Sequence, residues 1–367
     1  MIHRLPALPR TIQRDLARLD VLRERLHVGT RQPLRWMGGL RRLVMARAVD
    51  SSTSIEGYRV PLEDAAALIS REVVPNADET SRLAVACYGH AMDHVSAMGE
   101  DPGFEWSTRV ILDLHFEVCH FQPEVRPGRW RRGPVSVTHR DGSIAYRAPD
   151  AEEVPGLMEE VIGWLSGAEA EAAHPIVRAA MAHLHVVSVH PFQDGNGRLA
   201  RIVQSLVLAR DGLVAPEFAS IEEYLGERTD AYYTALQGAQ GPRYNPSRDA
   251  TGWVRFCVAA HLEQAERRLR EIEAAAARWE SCEALVASLG WPDRFVIALE
   301  RALTGYLDRA GYSAEAGVSP ITASLDFRRL LDAGLVVQEG RGRSTRYRAS
   351  LGLRRRIATG NQVGPAG

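Results

Sequence analysis

Leu16, Leu19, Leu22 and Leu26 recur at the three- and four-residue spacing of a helix face, so the chain opens on an amphipathic helix. Pro33 interrupts it, and a second helix is predicted from Leu40 towards Ile55, with Gly57 as its stop. A third, over 79–97, gathers Leu83, Ala86, Cys87, His90 and Ala91 on one face. The period changes over 121–149. Val135 and Val137 alternate with other residues, Asp141-Gly142 supplies a turn, and 144–147 returns, which is the pattern of a β-hairpin. A two-stranded ribbon is marginal alone, so 133–147 must lie on a helical body, as a flap. Helical spacing resumes over 151–165, over 175–189 and over 198–210, where Leu199, Ile202, Val203 and Leu206 hold core positions.

Beyond these, 246–280 reads as a charged linker helix, clearest in HLEQAERRLREIEAAAARWE, which suits a strut between domains. Residues 281–350 give a helix, a turn near Ala316-Gly317-Val318-Ser319, a helix over 320–333 and two short strands, and this order resembles a winged helix-turn-helix. Residues 351–367 read as a tail. The expected fold is therefore mainly α: a helical region over 1–104, a helical core with its β-hairpin flap over 105–245, the linker helix and a C-terminal winged-helix domain.

Composition narrows the chemistry. The 45 basic residues among 367 are all arginine, which excludes the phosphate-loop lysine, the Ser-x-x-Lys nucleophile pair and any Schiff-base lysine. A net charge of -1 excludes general nucleic-acid stickiness, although 321–360 carries nine arginines against three acids. Cys87, Cys119, Cys257 and Cys282 are single and scattered, so they read as reduced core residues rather than disulfides or zinc ligands. The N-terminus lacks the apolar core of a signal peptide and no run is long enough to span a membrane, so the cytoplasm is the expected compartment.

The chemistry concentrates in His190-Pro191-Phe192-Gln193-Asp194-Gly195-Asn196-Gly197-Arg198-Leu199-Ala200-Arg201. Two glycines around an asparagine before a helix let successive N–H groups face one anion. Arg198 and Arg201, three apart, can both reach that anion. Asp194 is placed to hold Mg²⁺ between phosphate oxygens, and His190 is the group able to accept a proton near neutral pH. Taken singly, each feature has a plain structural reading: a core histidine, a turn, a solvated face. Within twelve residues they form one constellation. His183 and His185 lack ligand spacing and are expected in the core.

This segment resembles the signature of the Fic (Fido) family, His-x-Phe-x-Asp/Glu-Gly-Asn-Gly-Arg-x-x-Arg, at every specified position, and the resemblance extends over about 105–245 with the flap included. It implies a protein adenylyltransferase that moves AMP from MgATP to a Ser, Thr or Tyr hydroxyl of a target protein or of itself. On this resemblance His190 is the base, Asp194 the Mg²⁺ ligand, Gly195, Asn196 and Gly197 the phosphate cradle, Arg198 a phosphate ligand and Arg201 the γ-phosphate clamp. The flap holds the target by strand addition. Ser52-Thr53-Ser54-Ile55-Glu56-Gly57 is similar to the family's inhibitory motif, within a helix at about 40–57, so Glu56 would pair with Arg201 and Ser52 would steady the helix. Arg228, Tyr232, Tyr233 and Leu236 resemble the region over the adenine, where stacking and core aromatics share one spacing.

Alternatives stay open: AMP removal, transfer of another nucleotide or a phosphate, and, in a different class, a DNA-binding regulator acting through Arg328, Arg329, Arg341, Arg343 and Arg346. The terminal domain reads equally as a docking or dimerisation module, and the apolar front helices suit a homodimer contact.

Overall fold

A computed structural model describes residues 1–31, 35–69, 78–138, 141–340 and 345–360. In chain order the elements are α1 (Arg10–Arg31), α2 (Met37–Ile55), α3 (Leu62–Ile69), α4 (Glu79–Glu100) and α5 (Thr108–Cys119), then the ribbon β1 (Ser136–Thr138) and β2 (Ile144–Arg147). These are followed by α6 (Val154–Leu165), α7 (Ala168–Ala172), α8 (Pro175–Val189), α9 (Asn196–Asp211), α10 (Pro216–Ala219), α11 (Glu222–Glu227), α12 (Thr229–Gln240) and α13 (Thr251–Ser288). The chain ends on α14 (Arg294–Thr304), α15 (Arg309–Ala316), α16 (Pro320–Asp332), β3 (Val336–Glu339), β4 (Arg346–Ala349) and α17 (Leu351–Gly360). Among the described residues no helix is long and apolar enough to cross a membrane.

Two compact units divide the chain, one of Met1–Arg31 with Val44–Arg268, the other holding the described residues from Leu269 onward and those just before Val44. In the first, α8 is buried on almost every side, with Ile176, Val177 and every residue from Ala179 to Val189 covered, as a central helix must be, and His183, His185 and Ser188 are its buried polar residues. Pro175 at its first turn and the His174 side chain, which accepts from the Ile176 N–H, set its start. It packs most extensively on α9, and α9 on α4. A Cβ added at Gly99 would press on Ala209, so glycine allows α4 and α9 to cross closely there.

Three expectations change. The α1 stripe, Leu16, Leu19, Leu22 and Leu26, which suggested a homodimer contact, is buried within its own unit, so these four leucines are not a free surface, although Val21 and Val28 on the same helix are exposed. The helix expected as a linker over 246–280 runs from Thr251 to Ser288, and Trp253, Cys257 and His261 in its first half are core residues, with the Trp253 indole donating to the Ala180 carbonyl at 2.7 Å. It is a packed helix rather than a solvated strut. Residues 351–360, expected as tail, form α17 because Leu353 and Ile357 face inward one turn apart and the Ser350 hydroxyl caps the Leu353 N–H.

In the second unit α14, α15 and α16 enclose Phe295, Leu299, Tyr312, Phe327 and Leu330, and β3 pairs antiparallel with β4 from Val336↔Ala349 to Glu339↔Arg346. Gly317, at φ 64°, turns α15 into α16, and the Ser319 side chain caps the latter. Buried Asp326 receives both arms of Arg294 and the Tyr312 hydroxyl. Of the arginines expected to meet DNA, Arg341 and Arg343 lie outside the described residues. Arg329 stacks on Trp291, Arg346 lies over Tyr306, and Arg328 is exposed. On the same face of α16, Ile321 and Leu325 are exposed.

Candidate active site

The turn from α8 into α9 is built on unusual backbone. His190 closes α8 in the left-handed region at φ 51°, one of two described non-glycine residues with positive φ, and Gly195 opens α9 at φ 79°. The intervening loop is locked by Asn196: its Oδ1 accepts from the Phe192 N–H and its Nδ2 donates to the Phe192 carbonyl, both at 2.9 Å. The Asn196 side chain is thus occupied within the loop, and what it presents outward is backbone. Phe192 is fully buried, its ring stacked on His115 at 3.5 Å.

His190 Nδ1 lies 3.2 Å from the Val187 carbonyl, which only accepts, so that nitrogen carries the proton and Nε2 keeps its lone pair. Burial lowers the imidazole's proton affinity, the Val187 hydrogen bond raises it, and the charge of Arg131 lowers it further. The Asp194 carboxylate is half exposed, with Oδ2 3.7 Å from Arg198. Its backbone carbonyl receives the His115 Nε2–H at 2.9 Å, while His115 Nδ1 accepts the Gly128 N–H, which requires a neutral ring.

Both signature arginines are buried. Arg198 donates to the Val118 carbonyl at 3.0 Å and to Gln122, and its guanidinium lies over Tyr58 and Phe121. Arg201 donates through Nε to the Ser52 hydroxyl at 2.6 Å, and through one terminal nitrogen to the Ser52 carbonyl at 3.0 Å and to Glu56 at 2.8 Å. Burial penalises the Arg201 charge, but the Glu56 carboxylate outweighs it and holds the guanidinium firmly protonated. Ser52 therefore grips Arg201 as well as belonging to α2. Glu56 follows the end of that helix in a turn closed by Gly57 at φ 90°. Its carboxylate stands directly over Gly197, where an added Cβ would overlap it. A negative group thus already lies at the mouth of the α9 N-terminus.

Arg198 Nε and the second terminal nitrogen of Arg201 are buried without an acceptor. With the first N–H groups of α9, which have no intrahelical partner, they supply unused donors on one side of the loop. This set fits a polyphosphate. Among the described residues no three His, Cys, Asp or Glu side chains group as a metal site, so a cation beside Asp194 would draw its other ligands from phosphate and water, as Mg²⁺ prefers.

The expected adenine contacts separate. Tyr232 is core: its hydroxyl donates to His183 Nε2 at 3.0 Å, whose Nδ1–H goes to Gln204. Tyr233 beside it is 45% exposed and feels the Glu56 and Arg201 charges. Leu236 is buried, and Arg228 stacks on Tyr224 and pairs with Glu263, away from the loop's partners. His115, Arg131 and Gln122 were not foreseen, since each reaches the loop from a segment without a motif of its own.

Gly195 has no room for a side chain, because a Cβ would overlap the Cys119 sulfur while its φ already disfavours L-residues. Gly195→Ala should cost about 3 kcal/mol and lower the melting temperature by roughly 6–10 °C. Gly57→Ala, with positive φ but open space, should cost about a third of that. Equal thermal shifts for the two would contradict this packing.

Residues 105–208 match the Fic/DOC family model. Curated relatives include a protein adenylyltransferase Fic of Aedes aegypti, 28% identical over 162 residues, and a protein adenylyltransferase fic-1 of Caenorhabditis briggsae, 38% identical over 158 residues. These matches cover 44% and 43% of this chain but only 31% and 27% of those proteins, so the chain spans less than a third of their length. Among solved structures, a Fic family protein from Desulfovibrio desulfuricans G20 superposes with a TM-score of 0.61 over 95% of this chain and 99% of that one, at 23% identity. Residues 134–508 of Fic-1 from Caenorhabditis elegans superpose with a TM-score of 0.58, covering 72% and 74%, also at 23% identity. At such identity the two structures speak for the fold.

Proposed function

From the Fic/DOC-family domain that this chain carries, we propose that it is a protein adenylyltransferase, moving AMP from ATP to a hydroxyl side chain of a protein and held back by Glu56. The observation that carries the reading is the conjunction at α9: a histidine with its Nε2 lone pair free, unused N–H donors at the helix N-terminus and two buried arginines beside them. ATP is the donor whose phosphates such donors suit, and reduced, buried thiols with ATP chemistry suit the cytoplasm.

His190 Nε2 removes the proton of an incoming Ser, Thr or Tyr hydroxyl. The oxygen attacks the α-phosphorus, and the bond from that phosphorus to the α,β-bridging oxygen breaks, so that pyrophosphate leaves carrying the electron pair. The backbone N–H groups of Gly195, Asn196 and Gly197 receive phosphate oxygens, Arg198 steadies them, and Arg201 binds the outermost phosphate. Asp194 would hold Mg²⁺, which when bound neutralises charge between phosphate oxygens. In the resting chain Glu56 engages Arg201 and stands over Gly197, so an outer phosphate must displace it.

The flap suggests how a target is held. The outer edge of β2 is taken, since the Arg147 N–H donates to the Pro242 carbonyl at 3.1 Å and the Tyr244 N–H to the Arg147 carbonyl at 3.0 Å. Among the described residues no strand pairs with the other edge of β1, Ser136–Thr138, and an extended target segment would add there.

Intact-mass measurement after incubation with MgATP tests the transfer without a known target. Glu56→Gly should gain the mass of AMP, and adding His190→Ala should slow the gain by about 10²–10⁴-fold. If Glu56→Gly gains nothing although ATP raises its melting temperature, transfer to protein is the wrong reading, and release of AMP from a modified protein or another donor takes its place.

A further inference from the structure

The guanidinium of Arg131 is almost fully buried, yet none of its described hydrogen bonds goes to a carboxylate. Its Nε donates to the His190 carbonyl at 2.8 Å, one terminal nitrogen to the Gly133 carbonyl at 2.9 Å and the other to the Pro149 carbonyl at 2.5 Å. Its own backbone N–H donates to the Pro191 carbonyl at 3.0 Å. A cation taken out of water and given only neutral acceptors is an expensive way to fasten a loop. What it supplies in return is the planar fork, which meets three carbonyls from three separate segments in one plane.

Those segments are specific. Gly133 and Pro149 lie just outside β1 and β2, at the two feet of the flap, and the third acceptor belongs to the residue read above as the base. The His190 carbonyl is also the one whose direction depends on left-handed backbone, so a donor holding it fixes a conformation that a histidine does not adopt unaided. A second tie runs parallel, from the Tyr146 hydroxyl on β2 to the Ser188 carbonyl in the last turn of α8.

We propose that Arg131 is a positioning residue that couples the flap to the base, its buried fork holding the His190 carbonyl and both feet of the ribbon so that the flap's seat sets the direction of the His190 imidazole. The proposal rests on His190 acting as the base. A target strand added to β1 loads the ribbon at its feet, and through Arg131 that load reaches the residue that must meet the target hydroxyl. Geometry of this kind affects the chemical step and leaves the phosphate donors of α9 untouched, because Arg131 makes no described contact with Gly195, Gly197, Arg198 or Arg201.

Arg131→Lys and Arg131→Gln, each in the Glu56→Gly chain, separate position from charge. Four kinds of group act on the His190 ring: burial, the Val187 carbonyl on its own helix, the positive charge of Arg131, and the negative charges of Glu56 and Asp194. Lysine keeps the charge and loses the fork, whereas glutamine loses both. Both variants are expected to lower kcat for AMP incorporation by 10- to 100-fold with KM for ATP changed less than twofold. Only Arg131→Gln should also move the His190 titration to higher pH, read by histidine NMR on the nucleotide-free protein and assigned by His190→Ala. A raised KM with unchanged kcat would overturn the proposal, as would full activity in either variant, or a lowered melting temperature with kcat and the His190 titration both unchanged. If the Glu56→Gly parent itself incorporates no AMP, the adenylyltransferase reading fails. Hydrogen exchange on the nucleotide-free protein then decides the Arg131 coupling, which stands if Arg131→Lys lowers protection of the ribbon 133–149 and of the 188–194 turn together and falls if either keeps its protection.

Discussion

Glu56→Gly is expected to raise the rate of AMP incorporation by roughly 10- to 100-fold while lowering the melting temperature of the nucleotide-free chain. The two effects have one cause. Arg201 is 1% exposed, and in the resting chain its only carboxylate partner among the described contacts is Glu56, at 2.8 Å. A charge-assisted hydrogen bond of this kind is worth about 1.5–3 kcal/mol net, so between a tenth and a hundredth of the molecules would have Arg201 released for a phosphate. Removing the carboxylate removes that cost to ATP. It also leaves a buried cation whose remaining described hydrogen bonds go to the Ser52 oxygens, with the Glu222 carboxylate acting on it only through space, which should destabilise the empty chain by about 3 kcal/mol. Glu56 lies in the turn after α2 rather than inside it, so a glycine there costs the helix little. ATP should therefore raise the melting temperature much more in Glu56→Gly than in the wild type. Glu56→Gln, which keeps the shape and loses the charge, should fall between. Equal transfer rates and equal thermal shifts by ATP in wild type and Glu56→Gly would remove the inhibitory role.

What the sequence made readable is local chemistry. The loop from His190 to Arg201 is legible because a helix N-terminus, its glycines and two arginines one turn apart are all neighbours along the chain. The structure draws Glu56 and Ser52 onto Arg201 across 145 and 149 residues; of these, only a family resemblance had singled out the pair. Arg131 and His115 reach the loop across 59 and 79 residues from segments whose own pattern is silent. A single arginine between Trp130 and Arg132 carries no periodicity that separates a buried fork from a solvated charge. The Tyr232-Tyr233 pair fails for a related reason. Consecutive helical residues point about 100° apart, so one is core and the other exposed, and spacing alone does not say which. In α13 the many charges concealed a buried face, because Arg268 enters the core paired with Glu223 rather than remaining in solvent.

Mild acid is expected to unfold the first unit while leaving the second folded. Burial lowers five histidines well below the ordinary value near 6.5: His3 and His115 to about 4, and His183, His185 and His261 to about 3. All five belong to the first unit, and the second contains no histidine. In each case the unfolded chain binds its proton at a higher pH than the folded one, so stability is present in full above about 6.5. It falls as the pH drops from there through the folded values. Each histidine then costs about 1 kcal/mol per pH unit, and five together approach the entire 5–15 kcal/mol stability of a typical domain within one to two units. Glu222, Asp50 and Glu117, raised first of all by burial, act in the opposite direction and offset part of the slope. The midpoint for the first unit should therefore lie near about pH 5, above the range in which ordinary carboxylates titrate. Segment-resolved hydrogen exchange between pH 7 and 4 should show protection lost in α8 and α9 while α14 and α16 keep theirs. Simultaneous loss in both units, or retention of α8 and α9 down to pH 4, would show that these histidines are not held neutral by the fold.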